Sequence, residues 1–324
     1  MLKIFITRDI PTAGIDLIRN ELPNAELKIQ PEEEILTRDK LKQEIIDIDG
    51  LLCSLSDKID GEIISAAKNL KIISNYAVGF DNIDIKFATK KKIMVTNTPG
   101  VLTEATADIA WGLIFATTRR LVEADQYLRS GKWKRWAPKL LLGYDLYGKT
   151  LGIIGMGRIG SAVARRATGF NMHIIYYSRT KKPEIEKKLG AKFVDLTTLL
   201  KEADIISIHV PLTNETKKMI GKKELNLMKR TSILINTSRG AVIDEQALIE
   251  ALKNKVITAA GLDVFTREPI KADKNPLVKL ENVVLLPHIG SATHETRTKM
   301  ALIAAKNLIM ALKGEVPSNL VNKL

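Results

Sequence analysis

From end to end the chain alternates short apolar runs with amphipathic stretches, which restricts it to folds built from βα units around parallel sheets. In the N-terminal third the runs are KIFIT, AELKI, GLLCSL, KIISNYAV and IMVTN. Between them, TAGIDLIRNEL, TRDKLKQEII and DGEIISAAKNL carry apolar residues at helical spacing, with Thr37 and Asp60 as candidate N-caps. Pro99-Gly100 is turn chemistry and a candidate domain crossing, and one long helix is predicted from about Thr103 to Leu128. A second βα series follows: KTLGIIGMGRIG, MHIIYYSR, ADIISIHV, TSILINTSRG, TAAGLDVF and NVVLLPH. A final helix from about Glu295 to Leu312 is too little for a third core, so it is expected to pack back on the first domain.

A chain of 324 residues has the length of two ordinary domains, and 45% hydrophobic residues can fill both cores. No apolar run reaches the roughly 20 residues that cross a bilayer, so no membrane partner is expected. The N-terminus MLKIFITRDI reads as a strand rather than a secretory signal, and the single cysteine, Cys53, cannot form an internal disulfide. Both readings lead to the expectation of a cytoplasmic protein. The net charge of +13 has three readings, in this order: solvated surface charge, attraction of anionic metabolites, and nucleic-acid binding. Basic residues alternate with acidic ones, as in KKPEIEKKLG, so no nucleic-acid partner is expected. No cluster has metal-ligand spacing, and no G-x-S-x-G elbow offers a nucleophile.

The segment Leu151–Gly160 reads as a strand running into a glycine-rich turn and a helix. Gly155 permits a tight turn, Gly157 lets the backbone approach a pyrophosphate, and Gly160 lets the helix pack on its strand. The helix then presents free N–H groups to the anion. A tight turn that binds nothing is the competing reading. The second strand ends in Ser178, Arg179, Thr180, Lys181 and Lys182, where an NAD site normally carries an acid for the adenine ribose. A hydroxyl and a guanidinium there suit a 2′-phosphate, so NADP(H) is the expected cofactor, with NAD(H) possible. An ordinary basic surface loop is the alternative.

These motifs predict an α/β fold of two doubly wound parallel-sheet domains. A Rossmann dinucleotide-binding domain, residues 100–287, is expected as an insertion in a flavodoxin-like substrate domain, residues 1–99 and 288–324. Three later strands end in polar residues, where open α/β sheets hold ligands: NTSRG up to Gly240, LDVFTREP from Leu262, and PHIGSAT from Pro287.

Together GMGRIG, NTSRG, LDVF…EP and PHIGSAT resemble the D-isomer-specific 2-hydroxyacid dehydrogenase family. The resemblance covers the whole chain, including NYAVGFDNID and NTPGVLTEATAD, and is greatest to glyoxylate and hydroxypyruvate reductases. It implies reduction of a small anionic 2-keto acid to the D-2-hydroxy acid, with Arg239, Glu268 and His288 as the catalytic set. It assigns Val78 and Gly79, with Arg239 and His288, to the substrate; Leu55, in CSLSDKID, and residues around Trp136 are candidates to contact the substrate side chain. To the cofactor it assigns Gly155, Met156, Gly157, Arg158, Ile159, Gly160, Ser178, Arg179 and Thr180. Thr106, Val210, Pro211, Thr216, Thr237, Ser238, Asp263, Gly290 and Ser291 complete that set. It also implies a homodimer, with Trp136 in the contact. For the loop SGKWKRWAPKLLLGYDLYGK itself, a subunit contact and core packing are both open. A phosphoglycerate dehydrogenase-like enzyme and a dinucleotide-sensing corepressor would share the same motifs.

The chemistry gives each residue type a reason. Hydride addition to a ketone develops negative charge on oxygen, and an imidazole can supply the proton near neutral pH. An ionised Glu268 beside it would favour the charged ring and fix its orientation. Arg239 offers a planar, permanently charged fork to a carboxylate. His173, His209 and His294 are read as structural.

Overall fold

The computed structural model describes residues 1–31 and 34–323. The elements run β1 (Lys3–Ile6), α1 (Thr12–Glu21), β2 (Glu26–Ile29), α2 (Arg38–Glu44), β3 (Gly50–Cys53), α3 (Gly61–Ala66), β4 (Ile72–Asn75), α4 (Ile85–Lys90) and β5 (Met94–Thr96). Next come α5 (Thr103–Thr118), α6 (Leu121–Arg129), β6 (Thr150–Ile154), α7 (Arg158–Ala167), β7 (His173–Tyr177), α8 (Pro183–Leu189), β8 (Lys192–Phe193), α9 (Leu196–Glu202) and β9 (Ile205–Ile208). The remainder is α10 (Lys222–Leu227), β10 (Ile233–Asn236), α11 (Glu245–Lys253), β11 (Ala259–Leu262), β12 (Val283–Leu285) and α12 (His294–Leu312).

Two compact units result: Met1–Leu102 with Ser291–Leu324, and Thr103–Gly290. The first holds a parallel sheet in the order β2-β1-β3-β4-β5. Its strands show the period of two that pleating imposes. Ile4, Ile6 and Leu52 pack with Ile15 and Ile18 of α1 and Met300, Ala304 and Leu308 of α12. Phe5, Leu51, Cys53 and Ile73 face the other way, onto Leu41, Ile63 and Ile64. Because helices cover both faces, β3 and β4 are buried at every position, whereas edge strand β2 is not. Gly14 makes the α1–α12 contact possible, since a Cβ there would lie 2.9 Å from Ala301. Thr37 and Asp60 cap α2 and α3 by accepting from the N–H groups of Lys40 and Ile63.

The second unit holds a seven-stranded parallel sheet, β12-β11-β10-β9-β6-β7-β8. The sequence order reverses between β6 and β9, and a sheet of this kind collects ligands at that switch point. One face packs Leu151, Ile153 and Tyr176 against Trp111, Leu113 and Ile114 of α5 and Ala162 and Val163 of α7. The opposite face packs Ile206, Ile208 and Leu234 against Leu199, Leu225, Leu248 and Leu252. Among the described residues no helix is long and apolar enough to cross a membrane.

Two expectations need correction. The helix predicted from Thr103 to Leu128 is broken after Thr118: Arg120 takes a left-handed φ of 54°, and α6 starts afresh at Leu121. The Thr118 carbonyl instead accepts from Tyr144 N–H at 2.9 Å, and Gly143 lies so close to that carbonyl that no Cβ would fit. The domain junctions also differ from 99/100 and 287/288. Val101 and Leu102 pack on the first core, and residues 288–290 belong with the second unit, so His288 does too. The cause of the second shift is Asp263 at the end of β11, which accepts from the N–H groups of Ile289 and Gly290, both at 2.8 Å.

Candidate active site

The turn after β6 is built from its glycines. Gly155 has φ +100°, and its N–H donates to the Tyr177 carbonyl at 2.8 Å. On the other side, a Cβ at Gly155 would lie 2.8 Å from the His209 backbone. A Cβ on Gly160 would strike the Gly155 carbonyl, so α7 can rest on the turn only through a glycine. Met156 is buried beneath it, and Arg158 and Ile159 open the helix. Gly157, the N-cap of α7, has nothing within 4 Å of a built Cβ. This open cradle before an uncapped helix N-terminus fits a dinucleotide pyrophosphate. A buried Thr237 hydroxyl without a protein partner, after β10, is a further polar group left over for a ligand.

At the end of β7, Ser178 is half-buried and Arg179 and Thr180 are exposed. Lys182 N–H donates to the Tyr176 hydroxyl at 2.7 Å, anchoring the far end of this basic loop. The Arg179 charge helps hold the Glu215 carboxyl below its ordinary range, after hydrogen bonding from Thr213 and the Glu215 backbone. Following β9, Thr216 donates to the Pro211 carbonyl at 2.6 Å and closes the loop that begins at Val210. His209 hydrogen-bonds Ser207 at 2.8 Å, and burial pushes its pKa down to about 3, which keeps the ring neutral.

Arg239, Glu268 and His288 follow β10, β11 and β12, and all three lie in the second unit. Buried Asn236 shapes the first loop: it donates to the Arg239 carbonyl at 2.9 Å and accepts from Ser238 N–H at 3.0 Å. The Arg239 guanidinium donates to the Ser238 carbonyl at 2.8 Å. A Cβ on Gly240 would fall on the Phe265 carbonyl group, so this glycine lets the Arg239 loop abut the Glu268 loop.

The Glu268–Pro269 peptide is cis. Glu268 Oε1 accepts from Phe265 N–H at 2.8 Å, and Oε2 faces His288 Nδ1 at 2.6 Å. Burial pushes the Glu268 carboxyl up, but the hydrogen bond and charge of His288, the Phe265 N–H and the Arg239 charge outweigh it. The net result is a pKa below the ordinary 4.5. His288 has φ +58°, a conformation that bulky residues avoid. It is held there by the two N–H groups that follow, both fixed on Asp263. Burial pushes the Asp263 carboxyl above its ordinary range, against the pull of those N–H groups and of His288. Thr106 of α5 completes this corner, its methyl 3.4 Å from a Cβ built on Gly290.

In the first unit, Leu55 lies after β3, next to the switch between β1 and β3, and Val78 and Gly79 follow β4. Buried Asp57 accepts from Ser54 N–H at 2.8 Å and holds the Leu55 turn. Asn97 donates to the Val78 carbonyl and Asn75 to the Gly79 carbonyl, both at 2.8 Å. Both carbonyls of this loop are thereby engaged. Ser291 belongs to this unit, its carbonyl accepting from the Arg297 guanidinium at 3.2 Å. Sequence reasoning missed Asn75 and Asn97 as individual positions and read Asn236 and Gly240 only as part of NTSRG. An asparagine ending an apolar run, as in IISN and ILIN, is the signal that could have found two of them.

Reversed strand order, a glycine cradle and an acid-paired imidazole define a dinucleotide-binding oxidoreductase. Residues 111–290 match the family described as D-isomer specific 2-hydroxyacid dehydrogenase, NAD binding domain. The chain is 57% identical to glyoxylate reductase of Thermococcus litoralis, over 99% of this chain and 97% of that protein. A solved structure of a Thermus thermophilus protein superposes with a TM-score of 0.92 at 44% identity, covering 99% of this chain and all of that one. The NADPH-dependent glyoxylate/hydroxypyruvate reductase of Sinorhizobium meliloti gives a TM-score of 0.84 at 33% identity, over 99% and 98% of the two chains. The chain belongs to the D-isomer specific 2-hydroxyacid dehydrogenases.

Proposed function

We propose that this protein reduces glyoxylate or hydroxypyruvate to the D-2-hydroxy acid, with NADP(H) preferred over NAD(H). The observation that carries the reading is the 2.6 Å pairing of His288 Nδ1 with Glu268 Oε2. A nicotinamide dinucleotide held at the Gly155–Gly160 turn would supply hydride chemistry. With Nδ1 committed to Glu268, Nε2 is the nitrogen of His288 left to deliver a proton to the carbonyl oxygen, and in the reverse direction to remove it. Arg239 binds the substrate carboxylate and polarises the adjacent carbonyl. In the first unit, Val78 and Gly79 are the candidates to offer backbone N–H groups to a substrate carboxylate, and Leu55 is the candidate to meet a substrate side chain.

Support for NADP(H) comes from the loop after β7, where Ser178, Arg179 and Thr180 stand in place of an acid. The NADPH dependence of the Sinorhizobium relative agrees with it. Support for a homodimer comes from Trp133 and Trp136, 54% and 77% exposed, and from α6, which buries none of its residues. A reducing cytoplasm suits a chain whose single cysteine is buried in the core.

The direct experiment is oxidation of NADPH and NADH by the purified protein with a panel of 2-keto acids. The reading expects glyoxylate and hydroxypyruvate to give the highest kcat/KM. Selective turnover of a phosphorylated substrate, or dinucleotide binding with no turnover of any acid, would contradict it.

A further inference from the structure

Glu268 lies on a loop whose side chains are mostly exposed, from Thr266 to Lys274, so something must hold that loop in register with His288. Two of its ties go to a single carboxylate. Glu245 Oε2 accepts from Thr266 N–H at 3.0 Å, and Glu245 Oε1 accepts from the Asn275 amide at 3.0 Å. These two points bracket the loop on either side of Glu268. Asn275 passes the constraint on, its Oδ1 accepting from Leu277 N–H at 3.0 Å, and Leu277 is fully buried.

The carboxylate itself sits on a rigid support. Glu245 is the first residue of α11, behind an N-cap at Asp244 that accepts from Ala247 N–H and pairs with Lys218. The helix is pinned by buried Leu248, Ile249 and Leu252.

We propose that Glu245 is a positioning residue for the reaction: it clasps both ends of the 266–275 loop and so sets Glu268 against His288. The proposal rests on the roles given above to Glu268 and His288. In this role Glu245 acts through the placing of Glu268. The charged groups around the ring it governs are Glu268, Asp263 and, acting on Glu268, Arg239. Loosening the clasp leaves all of them present but lets the Glu268–His288 distance vary.

The test uses the full-length enzyme with Glu245→Ala and Glu245→Gln, reading kcat against pH and dinucleotide affinity by fluorescence titration. Glu245→Ala is expected to lower kcat roughly tenfold, in line with the steep dependence of catalysis on geometry. Its pH profile should move in the direction seen for Glu268→Gln, with cofactor Kd unchanged. Glu245→Gln should fall between, because an amide keeps one acceptor oxygen. In a Glu268→Gln background, Glu245→Ala should add no more than about a twofold loss, since residues acting as one unit are not additive. Wild-type kcat and profile in Glu245→Ala, or a full additional loss in the double variant, would overturn the positioning role. If Glu245→Ala does not fold, the Glu245→Gln profile decides alone: displaced supports the role, unmoved overturns it. An unmoved profile in Glu268→Gln alone would instead refute the reading of Glu268.

Discussion

The Nδ1 atom of His288 lies 2.6 Å from Oε2 of Glu268, although the two residues follow different strands and stand 20 positions apart. Each is fixed from behind: Glu268 by Phe265 N–H, and His288 through the two N–H groups bound to Asp263. Both side chains are about one-quarter exposed, dry enough for a strong charge-assisted bond and open enough to meet a ligand.

Glu268→Gln should change the pH dependence of kcat. It removes the carboxyl that faces His288 Nδ1 at 2.6 Å and that is held below its ordinary 4.5 mainly by the hydrogen bond and charge of His288. The sign for stability follows from the same shift. The pair's contribution is complete above 4.5 and is lost as pH falls through the lowered Glu268 value. Steady-state profiles of the two proteins check the first claim, and denaturant titrations at several pH values check the second.

Arg179→Ala should weaken NADPH binding by roughly ten- to a hundredfold, the loss of one charge-assisted phosphate contact, and leave NADH nearly unchanged. Parallel titrations with the two dinucleotides measure it. Equal losses for both would mean that Arg179 does not read the 2′-phosphate.

His209 predicts an acid-sensitive fold. Its folded value of about 3 lies below the ordinary 6.5, so unfolding takes up a proton in that window. Stability carried by the neutral ring is intact above 6.5 and declines as pH falls toward 3, by up to about 1.4 kcal/mol per pH unit. Replacement of His209 by Gln should flatten that part of the curve, as read by denaturant midpoints. An identical slope in both proteins would show that another group is responsible.

If the proposed homodimer forms through this loop, Trp136→Glu should weaken association by at least about a hundredfold. Sedimentation velocity across protein concentration gives the result. A variant that remains dimeric would move the interface elsewhere.

Much of this architecture was legible in the sequence because parallel strands covered on both faces read as unbroken apolar runs, as in GLLC and ILIN. The residues that end those runs in polar groups were legible for the same reason: Arg239, Asp263 and His288 stand where hydrophobicity stops. The break after Thr118 was not, because the groups that meet its carbonyl, Gly143 and Tyr144, arrive through a later loop. Glu245 was equally hidden. It reads locally as an ordinary first-turn acid, and its partners Thr266 and Asn275 lie 21 and 30 residues away. Gly240 resembles a turn glycine until the Phe265 backbone is placed against it.

The most direct test of the central claim is turnover of glyoxylate by His288→Asn, measured beside its affinity for NADPH. A ring that donates the proton predicts a kcat at least about a thousandfold below wild type, within the range of general acid catalysis, with dinucleotide binding retained. Wild-type turnover by that variant would contradict the account.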